Sequence, residues 1–291
     1  MNNNTIAIID YGSQYTQLIA RRVRELNIYS IILPYDFKES QVDFSSIKGV
    51  VLSGGPSSVY DKSSPKLNKA ILDYNIPVLG VCYGLQLLIE NFNGIVKNGN
   101  IGEYGPSEIC IDKKSKLFTN VSSKTNVWMS HGDKIQDIPK DWIVTSKSEN
   151  NVISSVENES LNIYGVQFHP EVVHTQEGTK IIKNFALDIC QITPNWNSEN
   201  FIKNTISEIR NTVKDSKVLC ALSGGVDSTV VSTIMKKAIG DNAICVFIDH
   251  GLLRKNEAQE VVDMFNKSLD LDINLYDRSE VFLTKLKKVK D

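Results

Sequence analysis

The sequence predicts an α/β protein in two units: an open mixed sheet with flanking helices, then a smaller, partial Rossmann-like parallel sheet. Three observations carry this. From Thr5 to Phe92, apolar runs of strand length alternate with stretches of helical periodicity, the pattern of a parallel sheet covered on both faces. Between Ser107 and Phe168 the alternation gives way to short strand-like segments with little helix, as expected for an antiparallel extension of the same sheet. After the Pro- and Asn-bearing stretch Ile192–Ser198 the alternation starts again. A chain of 291 residues also suits two domains, at about 100 to 200 residues each.

In chain order, Thr5–Asp10 (TIAIID) reads as a strand. A turn at Tyr11-Gly12-Ser13 follows, then a helix over Tyr15–Leu26 with Leu18, Ile19, Val23 and Leu26 at helical spacing. Strands are expected at Tyr29–Leu33, Gly49–Leu52 and Pro77–Val81, with a polar helix around Lys66–Tyr74 and an apolar one over Leu85–Phe92. The segments EICI (108–111), NVWM (126–129), NVISSV (151–156) and NIYGVQF (162–168) form the antiparallel part, and a helix over Gly178–Cys190 closes the unit. The second unit reads as helix Glu199–Val213, strand Val218–Leu222, helix Asp227–Ile239, strand Ala243–Ile248, helix Asn256–Leu269, strand Ile273–Tyr276 and a last helix. Residues 1–191 are therefore assigned to the first domain, 192–198 to a linker and 199–291 to the second. A parallel sheet of only three strands would leave apolar surface uncovered.

Lys and Arg number 32 against 34 Asp and Glu. Divided at Cys190 the balance is 18 to 20 before and 14 to 14 after. Neither part has the basic excess with which a phosphate-neutralising nucleic-acid binder works, so no nucleic-acid partner is expected. The Lys285–Lys290 run reads as the solvated face of a terminal helix. Five cysteines (82, 110, 190, 220, 245) form no C-x-x-C pair, and an odd number does not suit a disulfide framework. No apolar run nears the ~20 residues of a membrane span. A cytoplasmic protein without a membrane partner is expected, with Cys110, Cys190, Cys220 and Cys245 in the core.

Three motifs in the first domain carry chemistry. Pro77–Gly84 (PVLGVCYG) puts Cys82 between two glycines where a buried strand meets a helix. That is the strained turn which exposes a nucleophile above a sheet edge, with a helix N-terminus beneath the sulfur to favour negative charge. Gly165–Glu171 (GVQFHPE) ends a strand with His169 and puts Glu171 two residues on, on the same face, suited to hold the imidazole as a base. Ser53–Pro56 (SGGP) frees backbone N–H groups at another strand end to hold an oxyanion. Each has an ordinary alternative: a core cysteine, a surface turn, a Gly-Gly-Pro turn. Their co-occurrence points to cysteine-based acyl transfer. In the second domain Lys217–Ser228 (KVLCALSGGVDS) runs a buried strand into a Gly-Gly turn and a helix N-terminus, a phosphate cradle that is neither a Walker loop nor a dinucleotide fingerprint.

The set GVCYGLQ, SGGP and GVQFHPE resembles the triad (class I) glutamine amidotransferases over Thr5–Cys190. The resemblance implies that Cys82 attacks the side-chain amide of glutamine, with His169 as proton shuttle and Glu171 as its orienter, releasing ammonia through a thioester. It implies an oxyanion hole from the N–H groups of Gly55 and Tyr83. Glutamine would be held by Gly54, Gln86 and the backbone of Ser130-His131-Gly132-Asp133, which leaves His131 outside the role of base. His174 is read as surface. The string SGGVDS resembles the pyrophosphate loop of N-type ATP pyrophosphatases, which cleave ATP to AMP and pyrophosphate with magnesium. It implies that Ser223, Gly224, Gly225, Val226, Asp227 and Ser228 hold ATP, with Asp227 at the Mg2+ and Ile248 on the strand that contacts adenine. No tightly bound organic cofactor is expected.

The two together resemble the glutamine-hydrolysing GMP synthetase family. This implies glutamine, ATP and XMP as substrates, ammonia passed between domains, and a homodimer formed through a segment beyond Asp291, so that the chain reads as an N-terminal portion. The alternatives are another triad amidotransferase, a degenerate glutamine sensor, or a sulfur- or nitrogen-transferring pyrophosphatase. Gly102, before Glu103-Tyr104-Gly105, stands where many relatives carry a basic residue, which puts coupling between the domains in question.

Overall fold

The structure, a computed structural model, describes residues 4–112, 114–269 and 271–289. The chain divides into two compact units, Met1–Trp196 and Asn197–Asp291. Ile192 is buried in the first unit's core, and the N–H groups of Asn195 and Trp196 both donate to the Asn27 carbonyl.

The first unit is a nine-stranded mixed sheet. Its elements are β1 (Thr5–Asp10), α1 (Thr16–Glu25), β2 (Tyr29–Pro34), β3 (Ile47–Leu52), α2 (Ala70–Asp73), β4 (Val78–Val81), α3 (Tyr83–Asn91), β5 (Ile95–Ile111), β6 (Lys124–Asp137), β7 (Ile143–Ser148), β8 (Ile153–Asn158), β9 (Ile163–Val166) and α4 (Gly178–Lys183). The order is β2-β1-β3-β4-β9-β8-β7-β5-β6. The first five strands run parallel, so the NIYGVQF segment, expected in the antiparallel part, instead joins β4 in parallel as β9, and from β8 outward the pairings are antiparallel. The parallel strands are apolar throughout because both faces are covered: Ile6, Ile8, Val51 and Val81 enter one core, while Ala7, Ile9, Val50, Leu52 and Val78 enter the other. Full burial of each such side chain contributes about 1.5–3 kcal/mol.

Several details depart from the sequence reading. The helix expected over Lys66–Tyr74 is a single turn, because the Asn68 side chain accepts the Ala70 N–H and starts it late. Strand β5 begins twelve residues before Ser107, at Ile95, since its first half is polar. The closing helix is α-helical only through Lys183 and continues as a π-helix over Asn184–Ile189. Cys110 is half-buried rather than core: Ile109 points inward, so its neighbour on the strand faces the other side.

The second unit comprises α5 (Ser198–Val213), β10 (Val218–Leu222), α6 (Val226–Ile239), β11 (Ala243–Asp249), α7 (Glu257–Leu269), β12 (Ile273–Asp277) and α8 (Ser279–Leu286). Its three parallel strands lie in sequence order. One face packs Cys220, Leu222, Cys245 and Phe247 against Val261 and Phe265 of α7. The opposite-facing Leu219 of β10 is 69% exposed, so the expected apolar surface is present. In the basic run, Lys285 lies in α8, Lys287 and Lys288 follow it, and Lys290 falls outside the described residues.

Candidate active site

Cys82 sits between β4 and α3 with φ 50° and ψ −106°, a conformation unfavourable for an L-residue. Three glycines make the turn possible. A Cβ on Gly80 would lie 2.7 Å from the Leu85 backbone. One on Gly165, its partner across β4 and β9, would lie 2.3 Å from the Leu85 side chain, and one on Gly84 would lie 2.4 Å from the Leu52 carbonyl oxygen. Without those atoms α3 rests directly on the sheet and its N-terminus lies under the sulfur.

Cys82, expected above the sheet edge with its side chain exposed, is only 5% exposed and forms part of the wall of a cavity of about 500 Å³. Its thiol is 3.6 Å from the Ser130 carbonyl oxygen. His169 follows β9. Its Nδ1 is 2.7 Å from Oε1 of Glu171, which is fully buried, so Nε2 is the nitrogen left for the sulfur. Burial works against a charged imidazole here, yet hydrogen bonds with Cys82 and Glu171 and their negative charge outweigh it, raising the His169 pKa to about 10. The turn is pinned from two sides. Arg22 of α1 donates from Nε to the Glu171 carbonyl at 2.9 Å, and the Thr175 hydroxyl donates to the His169 carbonyl at 2.6 Å. The Tyr15 ring meets His169 edge-on, 5.0 Å between centroids.

The cavity also takes in Gly55, Tyr83, Gln86, Ser130, His131, Gly132 and Asp133. The N–H groups of Gly55 and Tyr83 donate to no group among the described residues, and Gly54 lies against the imidazole, where a Cβ would stand 3.0 Å from His169 Cε1. Gln86 is held from within the protein, its amide donating to the Asp133 carbonyl and to Gln167 Oε1, each at 3.3 Å. His131 is buried on β6 with Nδ1 2.8 Å from the Asp133 carbonyl. Burial pushes its pKa down, against the opposite pull of that carbonyl and of Glu103. His174 is exposed, its ring 4.5 Å from that of Trp128 and tilted by 33°.

The profile of the glutamine amidotransferase class-I family matches residues 7–189. The chain belongs to the class-I glutamine amidotransferase family. A PP-loop domain profile matches residues 197–284 of this class-I amidotransferase. Enzymes named GMP synthase [glutamine-hydrolyzing] from Bacillus cereus and Bacillus anthracis are each 45% identical to it over 289 residues, 99% of this chain and 56% of theirs. The chain thus spans about half the length of these curated relatives. A crystal structure of a Thermoplasma acidophilum protein, provisionally named as one subunit of GMP synthase, is 29% identical with a TM-score of 0.56, covering 69% of this chain and 97% of that one.

In the second unit the Ser223–Ser228 loop has the backbone its sequence requires. Gly224 adopts φ +75°. Ser228 Oγ accepts the Ser223 N–H at 3.2 Å and donates to the Gly225 carbonyl at 3.0 Å. Ser223 Oγ accepts the Gly225 N–H at 3.3 Å. Gly225 then caps α6, leaving the N-terminal N–H groups of Val226 and Asp227 at the open end of the loop. Ile248, near the end of β11, is 42% exposed.

Three residues in and around the site were not found from the sequence. Gln167 donates to the sulfur at 3.6 Å, and its place inside GVQFHPE, two residues before the histidine, was the available signal. Tyr60 donates to Asp133 Oδ1 at 2.7 Å from a loop with no motif of its own. Glu103, on β5, reaches the site only through strand pairing.

Proposed function

We propose that this chain carries the glutaminase and the ATP-binding loop of a glutamine-dependent GMP synthetase, a ligase of purine nucleotide biosynthesis that transfers glutamine nitrogen to XMP. The observation supporting this above all is the union, in one chain, of the Cys82, His169 and Glu171 constellation with the Ser223–Ser228 loop. The 45% identity to GMP synthases along nearly its whole length agrees.

In the glutaminase step the Cys82 sulfur attacks the amide carbon of glutamine as the thiolate, its proton already carried by His169 Nε2 while Glu171 holds Nδ1. Negative charge on the amide oxygen meets the N–H groups of Gly55 and Tyr83. The C–N bond breaks, His169 returns the proton to the departing ammonia, and water hydrolyses the γ-glutamyl thioester to glutamate. Gly54, Gln86 and the Ser130–Asp133 strand hold the amino-acid end. Residues 1–191 form the glutaminase, 192–198 the link and 199–291 the start of the ATP pyrophosphatase domain.

There, Ser223, Gly224, Gly225, Val226 and Ser228 bind the pyrophosphate of ATP and Ile248 packs on adenine. The donor set fits magnesium: Asp227 is exposed in the first turn of α6, and its carboxylate makes no hydrogen bond or ion pair with any described residue. Mg2+ is held by one or two carboxylates together with phosphate oxygens, and when bound it neutralises phosphate charge. Adenylation of XMP at the C2 oxygen and displacement of AMP by ammonia would complete the reaction in a cytoplasmic homodimer. Among the described residues no helix is long and apolar enough to cross a membrane. The test is glutamate release with different nucleotide pairs. XMP with ATP should stimulate it more than UTP with ATP. Stimulation by UTP and not XMP would assign the chain to another amidotransferase.

A further inference from the structure

Glu103 and His131 are a buried titratable pair for which the proposed reaction has no use. They are 9% and 6% exposed and stand directly across from one another on β5 and β6, just after an irregularity between Asn98 and Glu103. Gly102 makes the approach possible, since a Cβ there would lie 2.8 Å from the His131 carbonyl oxygen and 2.6 Å from the Tyr104 ring. A side chain at this position would have to displace the Tyr104 ring and the His131 backbone, which gives the glycine a local reason.

The hydrogen bonds fix the protons. His131 Nδ1 faces the Asp133 carbonyl at 2.8 Å, and a carbonyl only accepts, so Nδ1 carries a hydrogen. Glu103 Oε1 accepts from Ser148 Oγ at 2.8 Å and Asn150 Nδ2 at 2.9 Å. That leaves His131 Nε2 and Glu103 Oε2, 3.2 Å apart and poorly aligned, with no other partner for either among the described residues. One hydrogen placed between them would satisfy both atoms. The Asp133 carbonyl that His131 holds also receives Gln86, and the Asp133 side chain receives Tyr60. The orientation of the Ser130–Asp133 backbone therefore depends on a pair that itself touches no reacting atom.

We infer that Glu103 and His131 form a proton-sharing clamp that holds the Ser130–Asp133 strand in its glutamine-binding conformation, with Glu103 as a positioning residue. The inference rests on the glutaminase reading above, and binding separates the two. Glutamine affinity is measured by calorimetry on the full 291-residue chain carrying Cys82→Ala, so that no turnover occurs. Adding Glu103→Ala should weaken glutamine about tenfold, because it leaves His131 Nε2 buried and unpaired. Adding Glu103→Gln should hold affinity within about twofold: the amide oxygen can take Ser148 and Asn150 while its NH2 donates to Nε2.

Should Glu103→Ala fail to fold, Asn150→Ala, at an exposed position, should still weaken glutamine about threefold. In the chain retaining Cys82, Glu103→Ala should raise KM with kcat within about threefold, the mark of lost ground-state binding. An unchanged Kd in Glu103→Ala, or a Glu103→Gln variant as poor as Glu103→Ala, overturns the clamp. Glutamine that binds in this Glu103-dependent way but is never hydrolysed by the parent chain overturns the glutaminase reading and leaves the clamp standing. No glutamine binding at all overturns both.

Discussion

At Cys82 the fold places a sulfur in a backbone conformation that only its neighbours sustain, and the chemistry assigned to it gives the sharpest residue-scale tests. Glu171→Gln keeps the shape but withdraws the charge opposite His169. Its effect on kcat should be on the order of 10²-fold smaller than that of Cys82→Ala, because an orienting carboxylate stabilises the imidazole without bonding to substrate. Glutamate release at saturating glutamine measures both, and equal losses would make Glu171 more than an orienter. The same pair sets a pH dependence. The His169 pKa is raised from an ordinary 6.5 to about 10 in the folded chain, so its contribution to stability is complete below pH 6.5 and is lost as pH rises through about 10. The stability gap between the parent chain and Glu171→Gln, read from denaturant titrations, should therefore be widest near pH 6 and close toward pH 10. A gap that widens with pH would reverse the assigned charge state. The triad residues were legible in the sequence because small flanking residues and i, i+2 spacing leave local marks. Glu103, Tyr60 and the partners of Gln86 were not, since they meet only when distant strands and loops come together.

Among the elements, α3 and the β4–β9 pair decide where the sulfur stands. Gly80→Ala would drive a methyl group to 2.7 Å from the Leu85 backbone, which α3 can relieve only by lifting off the sheet. A destabilisation of about 1–3 kcal/mol is expected, seen as a fall in Tm of about 2–4 °C per kcal/mol, and glutaminase activity should fall with it. An unchanged Tm with full activity would show that the close approach is not required. Strands with apolar alternation or continuous apolar runs were readable, and β1, β3, β4 and β10 lie within a residue or two of where their patterns put them. Strand β7 went unread for a physical reason. Its inward positions are hydroxyls, with Thr145 bonded to Ser155 and Ser146 to Ser154 at 2.6 Å each, so polar pairing replaces the hydrophobic signal.

Over the whole molecule, charge says little and motif pairing says much. Both units are near electrical balance, whereas the phosphate loop in the second narrows the family of the first. Asp227→Ala should weaken Mg-ATP binding at least about tenfold while leaving nucleotide-independent glutamate release intact, as equilibrium dialysis and the glutaminase assay would show. Undiminished ATP binding would mean that the loop has another ligand. The two-unit order and the mixed sheet were legible because alternation of apolar runs survives in the sequence even where individual elements do not. Glutamine hydrolysis at Cys82 underlies every role proposed for the first unit, and glutamate release by the purified chain beside its Cys82→Ala variant measures it. Release by the parent is expected, with a loss on the order of 10⁴-fold or more in the variant and the melting curve unchanged. Equal release by the two, with both folded, would contradict it.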